Sequence, residues 1–364
     1  MLDRATEGTV VDVEAPKEAL HLVQIEVDVR RAVRYLEPLM PKADHERFCA
    51  DTGLLLKTVL TESFGSRSPR PFRIHTMRGS TALVVGYTAA SADDLRDTLA
   101  MTAKPGMEEM FVGDLRSRAM PRTWRAGMTV GFETTFAPVV RVSRAPAAAL
   151  PEGVRGHVPK RGDEIDVMQF LRWRIDELVS GKVDLQSVDL EPVFGPGWRD
   201  RMSAAIRDGA GLSRGGAFAS APGEADDVDG WDGDDIVTGG DITPMERCRL
   251  AAQAILTREE AYVDLFRRRL QVRMATPGGA STAQPSGTIV AADVVPGTVR
   301  ITRMMREGVW RPDQKRSLRR CTLPVVEMRG TLRITDGEAF AHLLRAGIGP
   351  HVAYGYGMLA LGPV

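Results

Sequence analysis

One order of elements, strand–helix–strand–strand–helix–strand, can be laid along this chain twice. It constrains the fold more than any single motif. His21 to Val29 (HLVQIEVDV) alternates, with Val23, Ile25, Val27 and Val29 on one side and Gln24, Glu26 and Asp28 on the other, the pattern of a half-buried strand. A helix is expected over about 44–63, carrying Leu54, Leu55, Leu56, Val59 and Leu60, with Gly65 and the Pro69/Pro71 pair ending it. Phe72 to Met77 and Ala82 to Tyr87 read as strands joined by Arg78-Gly79-Ser80. Ser91 is placed to cap a helix from Ala92 to about Met101, with Asp93 and Asp94 in its first turn, where the helix dipole favours negative charge. A short strand near 110–117 completes the first set.

The second set is interrupted. Met128 to Val142 reads as a long strand. A helix fits 258–271, where Thr257 and Glu260 form a capping box. Strands fit 288–303 and 322–335, a helix 337–346 and a last strand 354–361. The fold class expected is α+β, with tandem ferredoxin-like (RRM-like) β-α-β-β-α-β domains and a long insertion in the second. The division is a leader at 1–19, a first domain at 20–125, and a second at 126–364 interrupted by 144–256. With 364 residues and roughly 150 per domain, two domains are reasonable. The insertion carries one amphipathic helix, with Ile165, Met168, Leu171, Ile175 and Leu178 three to four apart. It also carries a Gly- and Asp-rich tract at about 209–243, too polar to order itself and expected to be a flexible loop. The D-x-D-x-D-G spacing of a calcium loop is absent there, and no metal site or cofactor is expected.

Charge narrows the function. Lys plus Arg is 48 and Asp plus Glu is 48, which excludes a uniformly basic nucleic-acid binder but not a segregated basic face. No apolar run approaches the roughly 18 residues of a membrane helix, and the acidic N-terminus is no secretory signal, so a cytoplasmic protein without a membrane partner is expected. Cys49, Cys248 and Cys321 lie too far apart for a disulfide framework or a C-x-x-C knuckle.

Arg300 to Arg320 breaks the neutrality. Arg300, Arg303, Arg306, Arg311, Lys315, Arg316, Arg319 and Arg320 face only Glu307 and Asp313, with Trp310 among them. Guanidiniums along a backbone with a stacking aromatic suit a phosphate-rich partner. A solvated hairpin whose charges aid solubility fits the same residues. Arg268, within Arg267-Arg268-Arg269, adds to the basic side. At the C-terminus, Gly347, Gly349, Gly355 and Gly357 surround Pro350, His351 and Tyr354. Such a loop lets backbone approach a ligand and aim amides at phosphate, or simply joins helix to strand. It is no dinucleotide fingerprint, because Val352 stands where the third glycine would.

The stretch from Thr322 to Leu361, TLPVVEMRGTLRITDGEAFAHLLRAGIGPHVAYGYGMLAL, resembles the C-terminal signature of the CasE-type CRISPR repeat endoribonucleases of the Cas-six superfamily. Asp51-Thr52-Gly53, Phe64-Gly65, Pro71-Phe72-Arg73, Val139-Val140-Arg141, the run Asp163 to Val167 and the run Arg258 to Tyr262 extend the similarity to about two thirds of the chain. The resemblance implies tandem ferredoxin-like domains that take part in antiviral defence. It implies binding of a CRISPR repeat RNA hairpin and metal-independent cleavage at its 3′ base. There the ribose 2′-OH attacks the adjacent phosphate, leaving a 2′,3′-cyclic phosphate and a 5′-OH. The product then stays with other Cascade-type subunits.

That chemistry needs a base, an acid and charge stabilisation, and histidine suits the first two. The family's catalytic His lies in the first helix, about where Lys57 stands, and the Tyr often found three residues before it matches Leu54. A lysine acts as a base only where burial or neighbouring cations lower its pKa, and otherwise serves electrostatically. His351 is the other candidate, because some members carry a His at its position. His45 and His75 are remoter candidates; His21, His157 and His342 read as structural. A non-cleaving hairpin-binding subunit of the same fold is the alternative function, and an unrelated scaffold protein a third.

Overall fold

The computed structural model describes residues 19–39, 42–102, 104–142, 163–172, 200, 257–273, 288–312 and 318–363. The leader, the acidic tract, Lys315, Arg316, Ile175 and Leu178 lie outside them. The chain forms two compact units, Met1–Ala5 with Val140–Leu265, and Thr6–Val139 with Phe266–Val364.

The larger unit holds the first set, and the second apart from residues 258–265 of its first helix. In the first, β1 (His21–Asp28) leads directly into α1 (Val29–Leu36), followed by α2 (Lys42–Ala50) and α3 (Thr52–Phe64). Then come β2 (Phe72–Arg78), β3 (Thr81–Thr88), α4 (Ala92–Thr102) and β4 (Arg116–Ala119). The sheet order is β2-β3-β1-β4, with every neighbouring pair antiparallel. That is the order a ferredoxin-like unit needs, since each helix carries the chain past one strand before it re-enters the sheet. Val23, Ile25 and Val27 face a core shared with Leu55, Leu56, Val59, Leu60 and Phe64.

Three expectations need correction here. Val29 belongs to a helix, because the Asp28 side chain accepts from the Arg30 and Arg31 amides and caps α1. The helix expected at 44–63 is two helices, parted at Asp51, whose carboxylate caps α3 by accepting from Leu54 N at 2.9 Å. The last strand of the first set is only Arg116–Ala119, preceded by a 3-10 turn at Glu108–Met110. The α4 cap is as expected, with Ser91 Oγ accepting from Asp94 N and the Asp94 carboxylate from Ser91 N. The Ser91 hydroxyl, which donates to the Asp94 carboxylate, and the Ser91 amide together hold that carboxyl below its ordinary pKa.

The second set begins with β5 (Thr129–Phe136); the strand expected to Val142 breaks at Ala137-Pro138 and resumes as β6 (Val139–Arg141). Proline lacks the amide that a continuous ladder would use. In the smaller unit, β7 is Glu164–Asp166, so Ile165 lies in a strand, not in the expected helix. Asp166 there accepts from Met168 N and from the Tyr262 hydroxyl. Helix α5 (Arg258–Arg269) opens on the Thr257/Glu260 capping box. Short strands β8 (Gln271–Arg273), β9 (Thr288–Val290) and β10 (Ala292–Val294) follow.

The expected strand at 288–303 is therefore divided. The described residues of the basic segment lie in two long strands, β11 (Arg300–Pro312) and β12 (Leu318–Ile334). Helix α6 (Gly337–Ala346) forms as expected, capped by Asp336. The expected strand at 354–361 is only β13 (Ala360–Gly362), because the glycine loop occupies the preceding residues. The sheet runs β11-β12-β5-β13, the same order as the first, and β10 pairs the far end of β12. Phe132 and Phe136 send their rings against Phe266 of α5.

No helix among the described residues is long and apolar enough to cross a membrane. His342 is buried on α6 beside Arg345, and both desolvation and that charge lower its pKa from 6.5. Above pH 6.5 it is neutral, folded or unfolded. Below that, the unfolded chain takes up a proton that the folded chain resists, so stability falls with acidity. Melting between pH 7.5 and 5.5 should show this fall, and His342→Gln should flatten it.

Candidate active site

The N-terminus of α3 and the glycine loop approach each other closely. Gly53 has room for no side chain, since a Cβ there would overlap the Tyr354 carbonyl oxygen. The loop is drawn tight by its own bonds. Ile348 N donates to the Gly357 carbonyl at 2.7 Å, Gly357 N to Thr135 O, and Tyr354 N to the His351 carbonyl at 2.8 Å. All four predicted glycines have positive φ, and His351 does too, at 68°, a conformation uncommon outside glycine. The loop thus aims the His351 and Tyr354 side chains from a fixed backbone. Their ring centroids lie 6.2 Å apart, and His351 is 6.4 Å from Tyr356.

Lys57, one turn into α3, reaches the same place. Its Nζ donates to the Tyr354 hydroxyl at 3.4 Å and stands 4.9 Å from the ring centroid. Arg311 approaches the same ring, its guanidinium carbon 4.0 Å from the centroid. The structure therefore gathers Lys57, His351, Tyr354 and Arg311 around one aromatic ring. Gly53→Ala should push the loop away from α3, lowering the melting temperature and any activity that needs Lys57 beside Tyr354. A melt compared with Thr58→Ala, on the same helix, checks this.

Arg311 is not displayed on the strand surface. It is 8% exposed and ion-paired to Asp51 at 2.7 Å. The same Asp51 oxygen accepts from Trp310 N at 2.7 Å, while its other oxygen caps α3. One buried carboxylate thus ties the helix of Lys57 to the strand of Arg311. Tyr356, 5.9 Å from Arg311, donates its hydroxyl to Glu307. Burial and that carboxylate push the Tyr356 pKa upward, so it stays a neutral donor. The role of Asp51 was missed from sequence; Asp-Thr-Gly before an apolar run is a capping signal that marks half of it.

The remaining basic residues divide between two faces. A bulge between Ile301 and Arg303 sets the register. Residues opposite one another share a face, so Arg300 lies with Arg329, Arg303 with Glu327, and Arg311 with Arg319. Arg306, Trp310 and Arg320 lie on the other face. Trp310 is covered by Arg47 of α2, 5.1 Å from its ring, and the Arg320 guanidinium lies over Gly308. Arg303 pairs loosely with Glu327 at 3.9 Å. Arg268 is half-buried on α5. His45 lies beside Cys49 on α2, and His75 against Arg73 on β2.

No curated protein matches the chain. Among solved structures it is similar to Thermus thermophilus Cse3 bound to an RNA representing a pre-cleavage complex. That match has 13% identity and a TM-score of 0.44, covering 95% of this chain and all of that one. It is also similar to Cas6e from Escherichia coli K-12, at 10% identity and a TM-score of 0.34, covering 94% and all of that chain. The family model described as CRISPR associated protein matches residues 243–363. Those residues include β11, β12, α6 and the whole glycine loop, so the similarity covers the same stretch as the terminal signature.

Proposed function

We propose that the protein processes CRISPR precursor RNA, binding the repeat hairpin and cutting at its 3′ base. The observation that carries this is the meeting of Lys57 and the Tyr354 hydroxyl, 297 residues apart in sequence, inside a loop that the CRISPR-associated family model covers. In the reaction the ribose 2′-oxygen bonds to the adjacent phosphorus and the bond to the 5′ oxygen breaks. The 2′-OH proton passes to a base, and the leaving oxygen takes a proton from an acid. His351 is the side chain suited to both transfers. Lys57, held by Tyr354, supplies positive charge to the phosphorane. The described glycine-loop backbone, with the exposed arginines of β11 and β12, meets the RNA phosphates. The product is retained in a Cascade-type complex.

A second reading, a hairpin-holding subunit that does not cut, is favoured by α3 itself, which offers Leu54 and Lys57 where the family has Tyr and His. End-labelled repeat RNA incubated with the protein in EDTA separates the two. A single cut, abolished by a 2′-deoxy sugar at the scissile position, establishes the nuclease. Tight, hairpin-specific binding with no cut establishes the subunit.

A further inference from the structure

Glu307 is a carboxylate beside groups proposed to meet phosphate, and the reaction described above uses no carboxylate. Along one face of β11 stand Met305, Glu307, Val309 and Arg311, and the ladder brings Val325 opposite Met305 and Leu323 opposite Glu307. Tyr356 is buried on this face, packed with Val309, Leu323, Val325, Ala137 and Val139. Its hydroxyl donates to the half-buried Glu307. Arg311, on the same face, is ion-paired to Asp51. Among the described residues Glu307 joins no ion pair, so its carboxylate is directed at the Tyr356 hydroxyl.

A negative charge here repels RNA phosphates, so the position weakens binding. What it gives in return is a charge-assisted hydrogen bond, the stronger kind. That bond holds the Tyr356 ring from β11. The ring meets His351 edge-on, with centroids 6.4 Å apart and planes crossing at 76°. Tyr354 meets the same imidazole at 6.2 Å and 61°, and its own hydroxyl is held by Lys57. His351 thus stands against two tyrosine rings, each fixed through its hydroxyl from a different element, α3 and β11. Proton transfer needs the imidazole in one orientation, and a misplacement of about 1 Å can cost about 10²-fold in rate. We infer that Glu307 is a positioning residue for the cleavage: through the Tyr356 hydroxyl it fixes the ring that orients the His351 imidazole. This rests on the processing role proposed above, with His351 as its proton-transfer group.

Full-length variants separate the hydrogen bond from the charge. Glu307→Leu removes both, Glu307→Gln keeps an acceptor without the charge, and Tyr356→Phe removes the donor. Single-turnover cleavage of the repeat hairpin and hairpin Kd are measured side by side, with melting temperature as the check on folding. Glu307→Leu and Tyr356→Phe should each cut about tenfold more slowly, and the double variant no more slowly than either, because one bond is lost in all three. Glu307→Gln should return the rate to within about threefold of wild type, since its amide oxygen accepts the same bond. Kd should tighten equally in the Leu and Gln variants, which both remove one repulsive charge, and stay unchanged in Tyr356→Phe. NMR of the imidazole Cε1–H in the free protein, assigned with His351→Ala, reads the orientation without cleavage. The His351 signal should move in Glu307→Leu and Tyr356→Phe and return in Glu307→Gln. A rate loss shared by Glu307→Gln would make Glu307 an electrostatic group and overturn the positioning role. Wild-type cutting by Glu307→Leu with an unmoved His351 signal would overturn it too, leaving the processing role intact. A wild-type protein that binds the hairpin and cuts nothing would overturn the processing role instead, and the His351 signal would still decide whether Glu307 orients the imidazole.

Discussion

Asp51→Ala should cost about 3–5 kcal/mol of stability, the penalty for stranding one partner of a buried ion pair. Few single substitutions in this chain should cost more. The Asp51 and Arg311 side chains are 4% and 9% exposed, so water would reach the abandoned guanidinium poorly. The same change removes the α3 cap, worth about 1 kcal/mol, and leaves Trp310 N without its acceptor. Urea unfolding followed by circular dichroism gives the loss directly. Asp51→Ala/Arg311→Met should be more stable than Asp51→Ala alone, because removing both charges ends the stranding. Equal stability of the two proteins would place the Asp51 contribution in its backbone bonds instead of the ion pair.

Lys57→Met should slow single-turnover cleavage of the repeat hairpin by about 10²–10³-fold, the usual loss when one donor to developing charge is removed. Its effect on hairpin Kd should stay within about tenfold, since a single contact of about 1.4 kcal/mol accounts for that much. Tyr354→Phe keeps the ring beneath Arg311 and removes only the hydroxyl that receives Lys57 Nζ. It should therefore show part of the same loss. His351→Ala should abolish the cut if His351 transfers protons, and rate against pH would report that group. A rate untouched by Lys57→Met and abolished by His351→Ala would leave the lysine a purely structural partner of Tyr354.

Local physics made much of the first sheet readable. Val23, Ile25 and Val27 alternate with Gln24 and Glu26, and the sheet buries the first group. The Gly79 turn, the Ser91 and Thr257 caps and the α6 boundaries follow from short-range chemistry, and all stand as expected. Helix α1 was missed although its signal was present. Asp28 precedes Val29, Ala32, Val33 and Leu36 at helical spacing, but the alternation of the strand ran one residue into it.

The basic segment shows where such reading stops. Composition found the arginines from 300 to 320 but not their faces, because the bulge at 301–303 shifts the alternation by one residue. With it, Arg300 lies opposite Arg329 and Arg311 turns inward to Asp51. Without it, Arg300 would point to the opposite face from Arg303.

The sequence by itself determined most of the elements, their twofold order and the glycine loop, because caps, turns and alternation act between residues a few positions apart. Only the tertiary structure decided that Lys57 meets Tyr354, that Asp51 holds Arg311, and that Arg300 lies opposite Arg329. Those meetings join residues far apart in the chain. They depend on strand register and sheet order, which no local preference encodes.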